Sequence, residues 1–179
     1  TMLPLLDDGY IAGLSRGARP RPANIASSYL KRIYHLIAHS RRYDLIWLQI
    51  EAFPWAPALL ENLFLGSGLP YVVDYDDAWF HRYDMHNSRT VRTILGTKID
   101  SVMRGARMVI AGNSYLAQRA KTAGASWIEI LPTVLGLDRY PTTEPTTRPT
   151  APFIVGWIGS PSTTPYLKLL EPALTTFSR

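Results

Sequence analysis

Three carboxylates crowd the end of one apolar run. Asp74, Asp76 and Asp77 stand together in VVDYDDAW, and like charges that close repel, so a bound group or a cation must offset them. In extended backbone Asp74 and Asp76 share one side and Asp77 points away. Carboxylates so placed can accept hydrogen bonds from sugar hydroxyls or polarise a nucleophile. The alternative is structural: Asp77 caps a turn and the other two pair with Arg82 or Lys98. Glu51, Phe53 and Trp55 follow an earlier apolar run. A glutamate among aromatics resembles a carbohydrate platform, and the alternative is a buried turn with Trp55 in the core. His81 and His86 have no paired carboxylate at metal-ligand spacing, which predicts surface or hydrogen-bonded imidazoles and no metal site.

A second candidate lies near the end of the chain. Gly156 and Gly159 belong to IVGWIGSPSTTPYLKLL. The pattern is a strand, small hydroxyl residues, then a helix with Pro165 in its first turn and Ser162 or Thr163 as its cap. A helix start after a Gly-Ser loop presents backbone N–H groups and favours phosphate. Neither the G-K-[ST] of a Walker loop nor the G-x-G-x-x-G of a dinucleotide fingerprint is present, and a plain βα turn has the same pattern.

These residues need elements to hold them. Apolar runs at 45–50, 69–74 and 107–111 read as strands buried on both faces, 127–131 as a shorter alternating strand, and 153–158 as the last. Tyr29, Ile33, Leu36 and Ile37 share a helical face. Residues 58–64 form the next helix, with Gly66 as its stop. Val91, Ile94, Leu95, Ile99, Val102 and Met103 repeat at helical spacing, with Gly105 after them. Asn113 or Ser114 can cap a helix over 115–122, with Gly124 beyond its end. Alternating strands and helices imply an α/β fold: a parallel sheet whose right-handed crossovers place helices on both faces. Ligands of such sheets gather outside the carboxyl ends of the strands, here residues 51–55, 74–79, 112–114, 132–133 and 159–164.

One boundary interrupts this rhythm. Residues 141–152 (PTTEPTTRPTAP) offer no large apolar side chain and prefer extended backbone. They read as a linker between a first domain, 1–140, and the start of a second, 153–179. The second domain carries its first strand–loop–helix unit, whose Leu167, Leu170, Leu174 and Phe177 share a face and whose Pro172 strains or bends the helix.

Composition narrows the classes. The chain has 179 residues, 46% hydrophobic and 18% charged, enough for one full α/β domain and short for two. Its net charge of +5 favours anionic partners: a nucleotide phosphate, a lipid surface or nucleic acid. It has no cysteine, which excludes disulfide scaffolds and thiolate metal sites and suits a reducing cytoplasm. No apolar run approaches the roughly 20 residues of a membrane span. The apolar residues 2–6 are too few for a signal-peptide core and have no basic flank. The chain opens within an apolar stretch and closes within a helical pattern, so both ends read as cut from a longer protein.

The order of motifs resembles the GT-B fold glycosyltransferases, specifically the retaining group 1 enzymes of glycosyltransferase family 4, over roughly 43–179. That family has a strand like VVYTIHD, a strand and helix like VIAVSEYL, a segment like VIPNGVDLDRF, and a second-domain opening like VGRL. The counterparts here are VVDYDDA (72–78), MVIAGNSYLA (108–117), IEILPTVLGLDRY (128–140) and VGWIGSPS (155–162). Asp76 stands where the family has a histidine, and Asp77 where an aspartate follows it. Thr133 and Val134 replace the usual Asn-Gly.

The resemblance implies two facing Rossmann-like domains, the first holding the acceptor and the second most of a nucleotide-sugar donor. Asp76 or Asp77 would orient the acceptor and serve the catalysis. Glu51, Asp74, Asn113 and Ser114 would line the cleft, and Gly159, Ser160 and Ser162 would approach the donor diphosphate. The donor is a substrate, and no further cofactor or metal is implied. The family's donor-binding lysine and paired glutamates lie deeper in the second domain, past Arg179, so this piece alone is expected to be inactive. The basic residues between Arg16 and Arg42 suit peripheral docking on the anionic inner face of a membrane that carries a lipid-linked acceptor, or simply a solvated basic face.

Two other readings stand beside it. In a haloacid dehalogenase-type phosphatase, Asp74 and Asp76 would be nucleophile and acid and Ser114 the second-motif hydroxyl. Ala78 stands where that family places a hydroxyl residue, and a late acidic pair for magnesium is missing. The chain could also be a Rossmann-like binding module without catalysis. Nucleic-acid binding is disfavoured, because the basic residues are spread rather than interleaved with exposed aromatics.

Overall fold

The computed structural model describes residues 2–6, 8–15, 21–39, 42–65, 68–136, 138, 154–159 and 163–177. The chain divides into two compact units, Thr1–Leu135 and Gly136–Arg179.

The first unit opens with helices α1 (Asp8–Ser15) and α2 (Pro22–His39). There follow β1 (Ile46–Gln49), α3 (Ala58–Leu65), β2 (Tyr71–Tyr75), α4 (His81–Asp84), α5 (Arg89–Leu95), α6 (Lys98–Gly105), β3 (Met108–Ala111), α7 (Ser114–Ala123) and β4 (Ile128–Ile130). The four strands form one parallel sheet in the order β1-β2-β3-β4. It is a Rossmann-like α/β arrangement, as the alternation of patterns predicted.

Sequential order has a consequence. Each right-handed crossover moves the chain the same way across the sheet, so the connecting helices fall on one face. The packing agrees: α2 lies against α3, α3 against α6, and α6 against α7. Leu48, Tyr71, Val73, Tyr75, Val109 and Ala111 point into this helix layer and are buried. The alternate positions, among them Trp47, Val72, Asp74 and Ile110, lie outside that core. The expectation of connecting helices on both faces is corrected accordingly.

Three local expectations also change. The first strand is an edge strand, with Trp47 60% exposed, not one buried on both faces. The apolar repeat over 91–103 forms two helices, α5 and α6, with Gly96 and Thr97 in a turn between them. Ile37, expected on the inner face of α2, is exposed, while Tyr29, Ile33 and Leu36 pack against the core.

In the second unit residues 154–159 carry no regular secondary structure and are exposed. The apolar pattern predicted a strand there, but a strand forms only where a neighbour supplies ladder partners, and among the described residues none does. A 3-10 helix (Thr164–Leu169) with Pro165 in its first turn precedes α8 (Glu171–Phe177). The helical pattern therefore breaks just before Pro172, which sits in the first turn of α8, where its missing N–H costs nothing. Gly66 and the proposed linker at 141–152 lie outside the described residues.

Candidate functional site

The carboxyl ends of the strands meet around Asp76. β2 ends at Tyr75 and the chain bends at Asp76 and Asp77. β3 ends beside it, and the Gly112 N–H donates to the Tyr75 carbonyl at 2.8 Å. A Cβ on residue 112 would lie 3.3 Å from that carbonyl oxygen and 3.4 Å from Asp76 Cα. A side chain there would be a tight fit, which the neighbouring backbone could take only by shifting a few tenths of an ångström. A cleft of about 320 Å³ opens here, lined by Gln49, Asp74, Asp76, Gly112 and the segment 131–134 that follows β4. A larger groove, about 1260 Å³, runs along β1 past Arg32, Tyr43 and Trp47 and also reaches Asp74.

The three aspartates differ in surroundings. Asp76 and Asp77 are exposed, and Asp74 is half-buried. Burial raises the Asp74 carboxyl above its ordinary range, the neighbouring Asp76 charge adds to this, and a hydrogen bond from Trp47 opposes it. No cation among the described residues pairs with any of the three. The structural alternative of pairing with Arg82 or Lys98 is not realised: Arg82 lies over the Trp79 ring at 4.4 Å, and Lys98 is held elsewhere.

Asn113 and Ser114 follow β3 at the same end. The Asn113 side chain accepts from the Leu116 N–H at 3.0 Å and caps α7. Ser114 is the first residue of that helix and is exposed. At the far end Gly124 adopts the left-handed conformation, φ 88°, which closes a helix without a Cβ clash.

The segment after β1 departs most from expectation. Ile50 and Trp55 both have positive φ, 68° and 62°, which is costly for side chains of this size. Between them Glu51 and Phe53 turn inward, and Trp55 is 52% exposed. The reading with Trp55 in the core is thus corrected, and Glu51 is buried while its residue also lines the larger groove along β1. Its carboxylate lies 2.6 Å from Lys98 Nζ and accepts from the Tyr83 hydroxyl at 2.8 Å. Glu61 Oε1 lies 3.3 Å from the same ammonium and accepts from the Phe53 N–H at 2.9 Å. Lys98 also donates to the Phe53 carbonyl. The Tyr83 hydroxyl accepts from the Trp55 N–H at 2.9 Å. The buried cluster thus ties down the strained segment at both ends.

A second polar group sits on the surface beside α7. His81 Nδ1 lies 2.8 Å from Asp84 Oδ1, and His81 Nε2 lies 2.7 Å from the Tyr115 hydroxyl. Arg119 holds Asp84 at 3.0 Å and grips Asp100 with two bonds of 2.6 and 3.0 Å. The sequence reading singled out His81 but not Tyr115, Asp84 or Arg119. Glu61 and Lys98 were also missed as a pair; the visible signals were a charge inside the apolar ALLENLFL and another at the head of the run KIDSVM.

In the second unit Gly159 is described, and Ser160 and Ser162 lie outside the described residues. A Cβ on Gly159 would overlap the Trp157 ring and sit 2.9 Å from Thr163 Oγ1. Among the described residues no group of three or more His, Asp or Glu side chains could hold a metal ion, and no helix is long and apolar enough to cross a membrane. No protein-family model, curated protein or solved structure matches the chain.

Proposed function

We propose that this chain is the acceptor-side part of a glycosyltransferase that uses a nucleotide-activated sugar. The observation that carries the reading is the cleft at the carboxyl ends of adjacent parallel strands, with Asp76 and Asp74 on its wall, where ligands of open α/β sheets bind. The order of the four motif segments supports it.

In this reading the acceptor hydroxyl lies against Asp76 or Asp77, which orients it and takes up its proton. The bond between the sugar's anomeric carbon and the donor diphosphate breaks, the diphosphate leaves, and the acceptor oxygen bonds to that carbon with retention. Gly159, Ser160 and Ser162 hold the diphosphate. The acceptor is a carbohydrate or a lipid-linked sugar, and the basic residues between Arg16 and Arg42 favour docking on an anionic membrane.

Radiolabelled uridine-, guanosine- and adenosine-diphosphate hexoses, offered to the full-length protein with a membrane extract as acceptor, test this. Label should enter the acceptor, and Asp77→Ala should slow that transfer by about tenfold or more, in line with general-base contributions. No transfer from any donor, together with magnesium-dependent phosphate release from a simple ester, overturns the reading in favour of a phosphatase. Liposome flotation that ignores anionic lipid and salt removes the membrane component.

A further inference from the structure

We infer that Tyr115, His81 and Asp84 form a proton relay whose acting atom is the exposed Tyr115 hydroxyl oxygen, an acid–base site for a substrate hydroxyl group. The assignment follows from what each group can donate. A carboxylate only accepts hydrogen bonds, so at 2.8 Å from Asp84 Oδ1 the His81 Nδ1 carries the proton. In a neutral imidazole Nε2 is then an acceptor, and at 2.7 Å the Tyr115 hydroxyl must donate to it. The phenol proton is thus directed at a base, and the base is oriented by an anion. That is the nucleophile–base–orienter arrangement by which weak oxygen groups are activated.

The surroundings fix the chain of groups. Asp84 also receives Arg119 at 3.0 Å, and Arg119 is anchored by Asp100 from α6 and lies over the Phe80 ring at 4.5 Å. Among the described residues, Asp84 from α4 and Tyr115 from α7 contact His81, and Arg119 from α7 and Asp100 from α6 join it through Asp84. Tyr115 itself is 57% exposed. It stands on the second residue of α7, directly after β3, and His81 opens α4, directly after the β2 bend. The relay therefore emerges at the carboxyl end of the sheet, the end that carries Asp76.

When a substrate O–H meets the Tyr115 oxygen, its proton passes to that oxygen as the phenol proton passes to His81 Nε2. The imidazolium so formed is stabilised by Asp84. Tyr115 is the catalytic group; His81 and Asp84 position and activate it. The relay carries the proposed glycosyl transfer only if a sugar hydroxyl is the substrate, but its chemistry can be tested without a sugar donor.

Benzenesulfonyl fluoride is the probe. The Tyr115 oxygen attacks sulfur, an S–O bond forms, fluoride leaves, and the phenol proton goes to His81. Tyr34 and Tyr166, each 67% exposed, serve as internal comparisons, read by peptide mass mapping at neutral pH. Tyr115 should label at least about tenfold faster than either, a threshold set below the roughly hundredfold or more that a positioned base contributes. His81→Asn and Asp84→Asn should each bring it down to their rate. Tyr75 and Tyr83 are buried, so their labelling reports any variant that has lost its fold; Tyr115→Phe confirms the mapped site. Equal rates at Tyr115, Tyr34 and Tyr166 in the unaltered protein overturn the relay, as does a folded His81→Asn variant that labels as fast as the parent. Neither result touches the glycosyl-transfer reading, and a protein that labels at Tyr115 yet transfers no sugar keeps the relay and loses that reading.

Discussion

Lys98 Nζ lies 2.6 Å from Glu51 Oε2, joining the head of α6 to the strained segment after β1, with the lysine side chain fully buried and the glutamate 4% exposed. Glu61 completes the cluster at 3.3 Å. Two carboxylates share one ammonium, so removing the cation leaves them facing each other without water. Lys98→Met should destabilise the first unit by about 3–5 kcal/mol, the usual cost of stranding a buried charge. Adding Glu51→Gln and Glu61→Gln to that variant should recover most of the loss. Urea unfolding measures both, and a Lys98→Met protein with the parent's midpoint contradicts the argument.

The same cluster gives a pH dependence. Burial raises the Glu61 carboxyl above its ordinary value, against the opposing pull of Lys98 and the Phe53 N–H. Its Oε2 has no hydrogen-bond partner among the described residues. A carboxyl that holds its proton more tightly when folded adds stability below its unfolded pKa and loses it as pH rises through the folded one. Glu61→Gln keeps the protonated shape. It should flatten the decline in stability from acid to neutral pH and raise the urea midpoint at neutral pH. A steeper decline in the variant refutes this.

Tyr71 and Tyr75 lie on the same face of β2 and predict opposite outcomes from the same substitution. The Tyr71 hydroxyl donates to the Val102 carbonyl at 2.7 Å, and burial pushes its phenol up to about 12. The Tyr75 hydroxyl is fully buried with no hydrogen-bond partner among the described residues. Tyr71→Phe should cost about 1 kcal/mol, the net worth of one hydrogen bond. Tyr75→Phe should be neutral or stabilising by about 1 kcal/mol, because it removes a buried hydroxyl that nothing satisfies. Thermal unfolding of the two variants side by side decides it; equal losses would mean that Tyr75 has a partner after all.

Much of this was legible in the sequence, for a definite reason. Strands β2 and β3 are short β-rich apolar runs between polar stops, and α7 is bracketed by Asn113 and Gly124, whose roles are local. What was not legible is long-range. Nothing in the residues around Trp47 says that β1 lies at the edge of the sheet, since an edge strand and a central one share the same apolar pattern. The pairing of Lys98 with Glu51 and of Tyr115 with His81 spans several elements, so no local pattern joins the partners: Lys98 stood as a candidate partner of the aspartates, Glu51 stood among Phe53 and Trp55, and nothing near Tyr115 pointed to His81. The strand expected at 153–158 had the right composition, but composition does not supply a ladder partner. The cleft lay between these extremes: the rule about carboxyl ends pointed to Asp74, Asp76 and Gly112, and the structure brings them together, whereas Glu51 followed the same rule and turned inward to a cation.

Asp74 and Asp76 offer a test of the cleft that needs no substrate. Their carboxylates follow one another on a single strand end, with no cation among the described residues to separate them. Burial, then the Asp76 charge, hold the Asp74 carboxyl above its ordinary range, while the Trp47 indole favours its ionised form. Asp76→Asn removes the like charge and leaves the other two influences, so the Asp74 midpoint should fall. Trp47→Phe removes the donor, so the midpoint should rise. Carboxyl carbon shifts followed by NMR across the acid range read both directly. An anion seated in the cleft would act on Asp74 as Asp76 does, so inorganic diphosphate bound there should raise the midpoint further. A midpoint indifferent to Asp76→Asn would mean that solvent screens the pair, and that the two carboxylates do not act on a ligand as a unit.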